Sequence, residues 1–326
     1  MIWSRLAYFE TMDYSIYYKR SITVNKIQQE VPMVDIFVSA FNSSDRVQCV
    51  FEETRAGRKI WLLHPEYNYA PVEEPIGHEI VKPNSLDEVD QVRALLDQMG
   101  DIKGLSICID ITGFMRHVLV FLVAKLAHMG VDSFYAIYSE PISYSKAEGT
   151  IFSNAATGVV RPVRGMGASN ASQAKDHLII GVGFDANLIS LVAHQKDDAI
   201  NYPLFAFPSL SADMYQQSAV KAAQSGEIAL QGEWIDNRIF APANDPFATA
   251  EVLSNLVFDI DARYSSANIY LTPLSTKAQA LGFSLYWCLE GQKRGGVTIL
   301  LPECSAYARE TSSGLRRLWL YTVELV

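Results

Sequence analysis

Apolar positions in this chain fall in solid runs broken by polar punctuation, and the runs alternate between strand length and helix length. Residues 105–109 form an almost unbroken apolar run, the pattern of a strand covered on both faces in a parallel sheet. The run ends abruptly in Asp110-Ile111-Thr112-Gly113, and an apolar helix is expected over 115–129. Gly113 lets the backbone turn sharply, so the first free N–H groups of that helix point into the crevice beyond the strand ends. That geometry suits an anion such as phosphate. A second copy follows much later: a strand over 268–271, the tip Thr272-Pro273-Leu274-Ser275-Thr276-Lys277, then a helix over 278–289.

The other runs fall into two matching series. In the first, a strand over 33–39 ends in the capping tip Ala40-Phe41-Asn42-Ser43-Ser44-Asp45, and a helix follows over 46–54. A strand over 59–64 stops at Pro65-Glu66. A helix over 86–99 has Asn84 or Ser85 as cap and Gly100 as stop, and a strand over 133–138 ends at Glu140-Pro141. In the second, a strand over 176–183 meets the tip Phe184-Asp185-Ala186-Asn187 and a helix over 188–194. A strand over 202–207 stops at Pro208. Helices are expected over 212–223 and over 246–263, the latter capped by Asn244 or Asp245, with a short strand over 239–242 between them. A strand over 296–301 runs into Pro302-Glu303, and 316–323 alternates like a closing strand. The blocks recur in the same order. The expected fold is therefore α/β: two Rossmann-like units with mainly parallel sheets, arranged as a tandem pseudo-repeat. The first unit, with an N-terminal extension, takes residues 1–145. A linker rich in small residues takes 146–175, where 150–152 has the composition of an edge strand, and the second unit takes 176–326.

Composition narrows the function. With 326 residues, 49% apolar and 19% charged, a sizeable core is assured. A net charge of −9 argues against a surface built for long nucleic acid. Four scattered cysteines imply a reducing compartment and no structural zinc. No signal-peptide core opens the chain, and the most apolar window, 118–138, is interrupted by Lys125, His128 and Asp132. A soluble, cytoplasmic protein with no membrane partner is expected.

In open parallel sheets, ligands sit outside the carboxyl ends of the strands. The candidates at those ends are Ser39, Asn42, Ser43, Asp110, Thr112 and Gly113 in the first unit. In the second they are Gly183, Asp185, Thr272, Ser275, Thr276 and Lys277. Hydroxyls, amides and one lysine suit phosphate and ribose oxygens. No Cys–His or Ser–His–Asp spacing, nucleophile elbow or metal cluster is present, so no catalytic residue, metal or cofactor is assigned. Lys277 opposes the helix macrodipole at a helix start, which points to an anionic partner, either a ligand or a buried acid. Arg161 and Arg164 read as solvated linker charges. Glu66, Glu140 and Glu303 recur beside proline at strand ends, with Tyr67, Tyr144 and Tyr307 nearby, and turn chemistry accounts for two of the three.

The strand, Thr-bearing turn and apolar helix resemble the CARF-domain signature, a strand followed by T-G-G-T-K and a helix. The two units share that signature. Asp110-Ile111-Thr112-Gly113 keeps its first part, with Phe114-Met115-Arg116 where Gly-Thr-Lys would stand; Leu274-Ser275-Thr276-Lys277 keeps the Thr-Lys. Two such units in one chain are similar to a SAVED domain. The resemblance implies a sensor or adaptor for a nucleotide second messenger, a cyclic or linear oligonucleotide, that signals to an effector or complex-partner protein in antiviral defence. Two other readings stay open. One is a Rossmann-like enzyme acting on a nucleotide or phosphosugar, with Asp110, Asp185 or Glu303 as acid or base. The other is a ligandless scaffold subunit of a defence complex.

Overall fold

The computed structural model describes residues 11–144, 153–169, 171, 173–211, 214–224, 232–307, 309 and 312–325. The first series of elements is Lys19–Ile22 (β1), Ile27–Glu30 (α1), Val34–Ala40 (β2), Asp45–Glu53 (α2), Ala56–Leu62 (β3) and Glu79–Val81 (β4). It continues with Glu88–Met99 (α3), Ile107–Asp110 (β5), Arg116–His128 (α4), Ser133–Glu140 (β6), Ser143–Tyr144 (β7) and Ser153–Pro162 (β8). The second is Lys175–Gly181 (β9), Ala186–Gln195 (α5), Ile200–Ala206 (β10), Met214–Gln224 (α6), Gly232–Asp236 (α7) and Ile239–Ala241 (β11). Pro246–Arg263 (α8), Ala267–Pro273 (β12), Lys277–Tyr286 (α9), Val297–Tyr307 (β13), Ser312–Ser313 (β14) and Arg317–Glu324 (β15) complete it. The expected edge strand at 150–152 and the first two residues of the helix expected at 212–223 lie outside the described residues.

The fold is α/β with two mainly parallel sheets, and the two share one strand order. In the first it is β4-β3-β2-β5-β6, in the second β11-β10-β9-β12-β13, and every one of these pairings is parallel. The order reverses between β2 and β5, and again between β9 and β12, the place where such sheets open a crevice. All four residues of β5 and all seven of β12 are buried, which is why both read as continuous apolar runs. Capping follows local chemistry. The Asp87 side chain accepts from Val89 N and caps α3, in place of the expected Asn84 or Ser85, and Gly100 stops that helix at φ 78°. Asp245 accepts from Phe247 N and Ala248 N ahead of Pro246, and so starts α8.

The assignment of the flanking segments departs from the sequence reading. The closing strand β15 was expected in the second unit. It instead pairs antiparallel with β6 of the first sheet, from Arg317 opposite Glu140 to Glu324 opposite Ser133, and β1 pairs on its far side. Residues 153–162, expected as linker, form β8 and pair antiparallel with β13 of the second sheet. Each lobe therefore sends the strand that follows its last parallel strand into the other lobe's sheet. The short connectors β7 and β14 pair with each other where the two crossings meet. The alternating pattern of 316–323 shows a strand but not its partner, because an apolar face fits either sheet.

Each exchanged strand carries an arginine that ends on a buried glutamate. Arg317 of β15 donates to Glu140, which is 1% exposed and also accepts from Trp319 Nε1 and from Asn244 Nδ2 of the opposite lobe. Arg161 of β8 forms a bidentate pair with the fully buried Glu88 of α3 at 2.7 Å and also reaches Glu303. Arg161 is thus an interlobe clamp and not a solvated linker charge, and Arg164 likewise pairs with Asp87. The recurrence of Glu140 and Glu303 beside proline reflects these clamps more than turn chemistry.

Removing one donor from a buried carboxylate is costly, so Arg317→Ala is expected to lower stability by about 2 kcal/mol in urea unfolding. A chain ending at residue 315 uncovers the β6 edge and is expected to lose a single cooperative melting transition. Wild-type melting of that shortened chain would contradict the exchange.

Candidate functional site

The strand ends of both lobes meet at one cleft of about 1040 Å3, counted out to its mouth. Its lining includes Asn42, Ser44, Arg46, Thr112 and Arg116 from the first lobe and Gly183, Ser275, Thr276 and Lys277 from the second. Tyr67, Tyr138, Phe184 and Tyr307 add aromatic surface. Helices α4 and α9 pack together, and their first residues, Arg116 and Lys277, occupy equivalent positions in the two lobes.

Local chemistry fixes these groups. Asn42 Oδ1 accepts from Ser44 N at 2.9 Å, and its Nδ2 donates to the Arg309 carbonyl. Arg46 donates to the Ser139 carbonyl at 2.7 Å, while Thr112 Oγ1 accepts from Ser139 N at 3.0 Å, so the end of β6 is braced from both sides. Thr112 therefore positions β6 and does not cap α4. Arg116 crosses the cleft to donate Nε and Nη2 to the Ser275 carbonyl. Thr276 accepts from Gln279 N as the α9 cap and donates to the Ala243 carbonyl. Ser275 Oγ and Ser312 Oγ are buried at the wall without a hydrogen-bond partner among the described residues.

The electrostatics of the cleft have one sign. Among the described residues no aspartate, glutamate, histidine or cysteine lines it. Among the described residues Arg46, Arg116 and Lys277 form no ion pair with an acid. Burial pushes the Lys277 ammonium well below its usual range, and the guanidiniums of Arg116 and Arg46 push it further the same way.

Six expected site residues reach the cleft: Asn42, Thr112, Gly183, Ser275, Thr276 and Lys277. The other six lie behind it. Asp110 is fully buried, accepts from Ser39 Oγ and Thr112 N, and is raised by burial against those hydrogen bonds and the field of Arg46. Ser39 is buried with it. The Ser43 backbone N–H donates to Tyr69 Oη. Asp185 caps α5 by accepting from Leu188 N. Thr272 is enclosed in β12, with its hydroxyl unpartnered among the described residues. Gly113 is a packing residue: a Cβ there would lie 2.1 Å from the Ala40 carbonyl oxygen. Gly183 meets the Leu274 carbonyl oxygen in the same way, at 2.1 Å, so each lobe closes its central strand pair with one glycine.

Sequence reasoning missed Arg46, Arg116 and most of the aromatics. The two arginines were findable, because each stands in a first helical turn and opposes the macrodipole just as Lys277 does. The aromatics carried no such signal.

Beneath the cleft a buried polar chain supports α4. Met115 N donates to His64 Nε2 at 3.2 Å, and His64 Nδ1 meets Gln91 Oε1 at 2.6 Å. Gln91 Nε2 donates to Glu66, which also meets His117 Nε2 at 3.1 Å. Burial holds His64 near 4, so the ring is neutral and accepts from the helix's first amide. Burial works to raise Glu66, but the hydrogen bond from His117, the histidines His64 and His117 beside it and its own backbone N–H together outweigh burial and leave the carboxyl below its usual range. Both shifts act with one sign. The unfolded chain binds more protons as the pH falls from about 6.5 toward 4, so stability falls over that window, by up to about 3 kcal/mol from His64 alone. Urea unfolding of His64→Gln against pH is expected to show a shallower slope than the wild type. Coincident slopes would contradict the neutral-histidine cap.

No protein-family model matches this chain, and neither does any curated protein or solved structure.

Proposed function

We propose that this protein is a sensor or adaptor: it binds a nucleotide-type second messenger in the interlobe cleft and signals to a partner protein, as CARF- and SAVED-like receptors do in antiviral defence. One observation carries the reading. In a chain of net charge −9, the cleft gathers three basic side chains and several hydroxyls, and among the described residues no carboxylate lines it. Unpaired cations beside helix starts are unfavourable until an anion neutralises them, and phosphate oxygens match guanidinium and ammonium donors. The aromatic walls offer stacking surface to a base.

An enzyme using Asp110, Asp185 or Glu303 finds less support. None of the three lines the cleft, and Asp110 is sealed beneath it. The cleft offers groups that bind and few that move protons.

A panel of nucleotides tests the reading by thermal shift and calorimetry. A ligand at 100 times its Kd is expected to add about 2.7 kcal/mol to stability. Lys277→Ala or Arg116→Ala is expected to weaken binding by about tenfold or more, each removing a charged hydrogen-bond donor. No shift with any nucleotide would overturn the proposal. Proton linkage gives a second prediction. An anion favours the charged Lys277 and raises its depressed pKa, so binding takes up a proton and weakens as the pH rises. Calorimetry in buffers of different ionisation enthalpy should detect that uptake, and Lys277→Arg should abolish it.

A further inference from the structure

The two lobes share a topology, but the cleft between them is not symmetric. Arg46 and Arg116 stand beyond the ends of β2 and β5, and Lys277 stands beyond the end of β12. Arg116 also holds the Ser275 carbonyl, two residues before Lys277, so the three cations gather at one end of the cleft. Among the described residues the rest of the second lobe's wall, along the ends of β9, β10 and β11, is uncharged and largely apolar: Val182, Phe184, Ala206, Leu210, Met214 and Ala243. The first lobe adds Val47, Tyr67 and Tyr138 to the lining but is closed at the equivalent place. The place equivalent to the end of β10 is the end of β3, which is filled by the turn Pro65–Tyr67. His64 and Glu66 are each 1% exposed there and satisfied by Gln91 and His117.

A two-fold symmetric cyclic oligonucleotide needs two phosphate loci and two base sites. This cleft holds one cationic locus and one apolar compartment. We propose that its ligand is a mononucleotide, with phosphates on Arg46, Arg116 and Lys277 and the single base against Phe184, Leu210 and Met214. The inference rests on the nucleotide-binding reading above and names the ligand class for that site.

The test is calorimetry on the full chain with AMP, ATP, GMP and GTP, with inorganic pyrophosphate as a probe of the cationic end, and with a cyclic tetranucleotide as the symmetric alternative. At least one mononucleotide is expected to bind with one site per chain, about tenfold or more tighter than pyrophosphate. Met214→Asp should reduce that nucleotide to the affinity of pyrophosphate while leaving pyrophosphate unchanged. Met214→Gln repeats the comparison if the aspartate variant fails to fold. A cyclic tetranucleotide that binds more tightly than every mononucleotide overturns the inference and leaves the nucleotide-binding reading standing. Equal binding of mononucleotides and pyrophosphate to the wild type also overturns it, because the apolar end then contributes nothing. If neither pyrophosphate nor any nucleotide binds, the underlying reading falls as well.

Discussion

The reciprocal exchange of β8 and β15 is the constraint on which the rest of this molecule depends. Strand-end tips make a site only when they are held in register across a gap, and a flexible linker between two Rossmann-like lobes would not do that. Here each lobe's sheet is completed by a strand that belongs, by chain order, to the other. Separating the lobes would strip two antiparallel ladders and would leave Glu140 and Glu88 buried without their arginines. An uncompensated buried carboxylate costs about 3–5 kcal/mol, so the lobes are bound in one arrangement and the cleft with them. The apolar interior follows the same plan. Tyr17 stacks on Phe247 and Tyr321 meets that ring edge-on, so the leading segment, the closing strand and α8 share one aromatic seam.

The exchange also explains how a duplicated architecture produces an uneven site. Equivalent helices α4 and α9 bring Arg116 and Lys277 to face each other, which is the symmetric part. The asymmetry enters at the ends of β3 and β10. In the first lobe that end is occupied by the His64–Gln91–Glu66–His117 chain, which gives Met115 N an acceptor at the start of α4. In the second lobe Thr276 supplies the corresponding cap from its own side chain, and Ala206, Ser209 and Leu210 beyond β10 line the cleft. The difference between a borrowed cap and a local one therefore decides which lobe keeps an open compartment.

Much of this was legible in the sequence because it is written in local chemistry. Continuous apolar runs announced β5 and β12, an aspartate ahead of proline announced α8, and polar tips announced where strands end. Six of the twelve expected site residues reach the cleft for that reason. The other six satisfy the same local rule but serve the backbone: Asp185 caps, Asp110 ties two tips together, and Gly113 admits a carbonyl. A strand-end polar residue reads identically whether its partner is a ligand or the chain itself. The exchange could not be read at all, since strand alternation fixes a face and not a neighbour. The role of Arg161 depended on that exchange and was lost with it.

The cluster of Arg46, Arg116 and Lys277 is the place where the molecule departs from what stability alone would select. Several arginines elsewhere are matched: Arg58 lies on Glu79, Arg161 on Glu88, Arg294 on Asp261 and Arg317 on Glu140. Acids are in excess over the whole chain, yet among the described residues none lines the cleft. Basic groups crowded at three helix starts raise the free energy of the empty protein, and that energy is recovered only when an anion enters. Local conflicts of this kind collect at functional sites, where the neighbouring structure holds them in place. The exchanged strands are what hold this one, so the rigidity of the fold and the charge of its cleft belong to the same design.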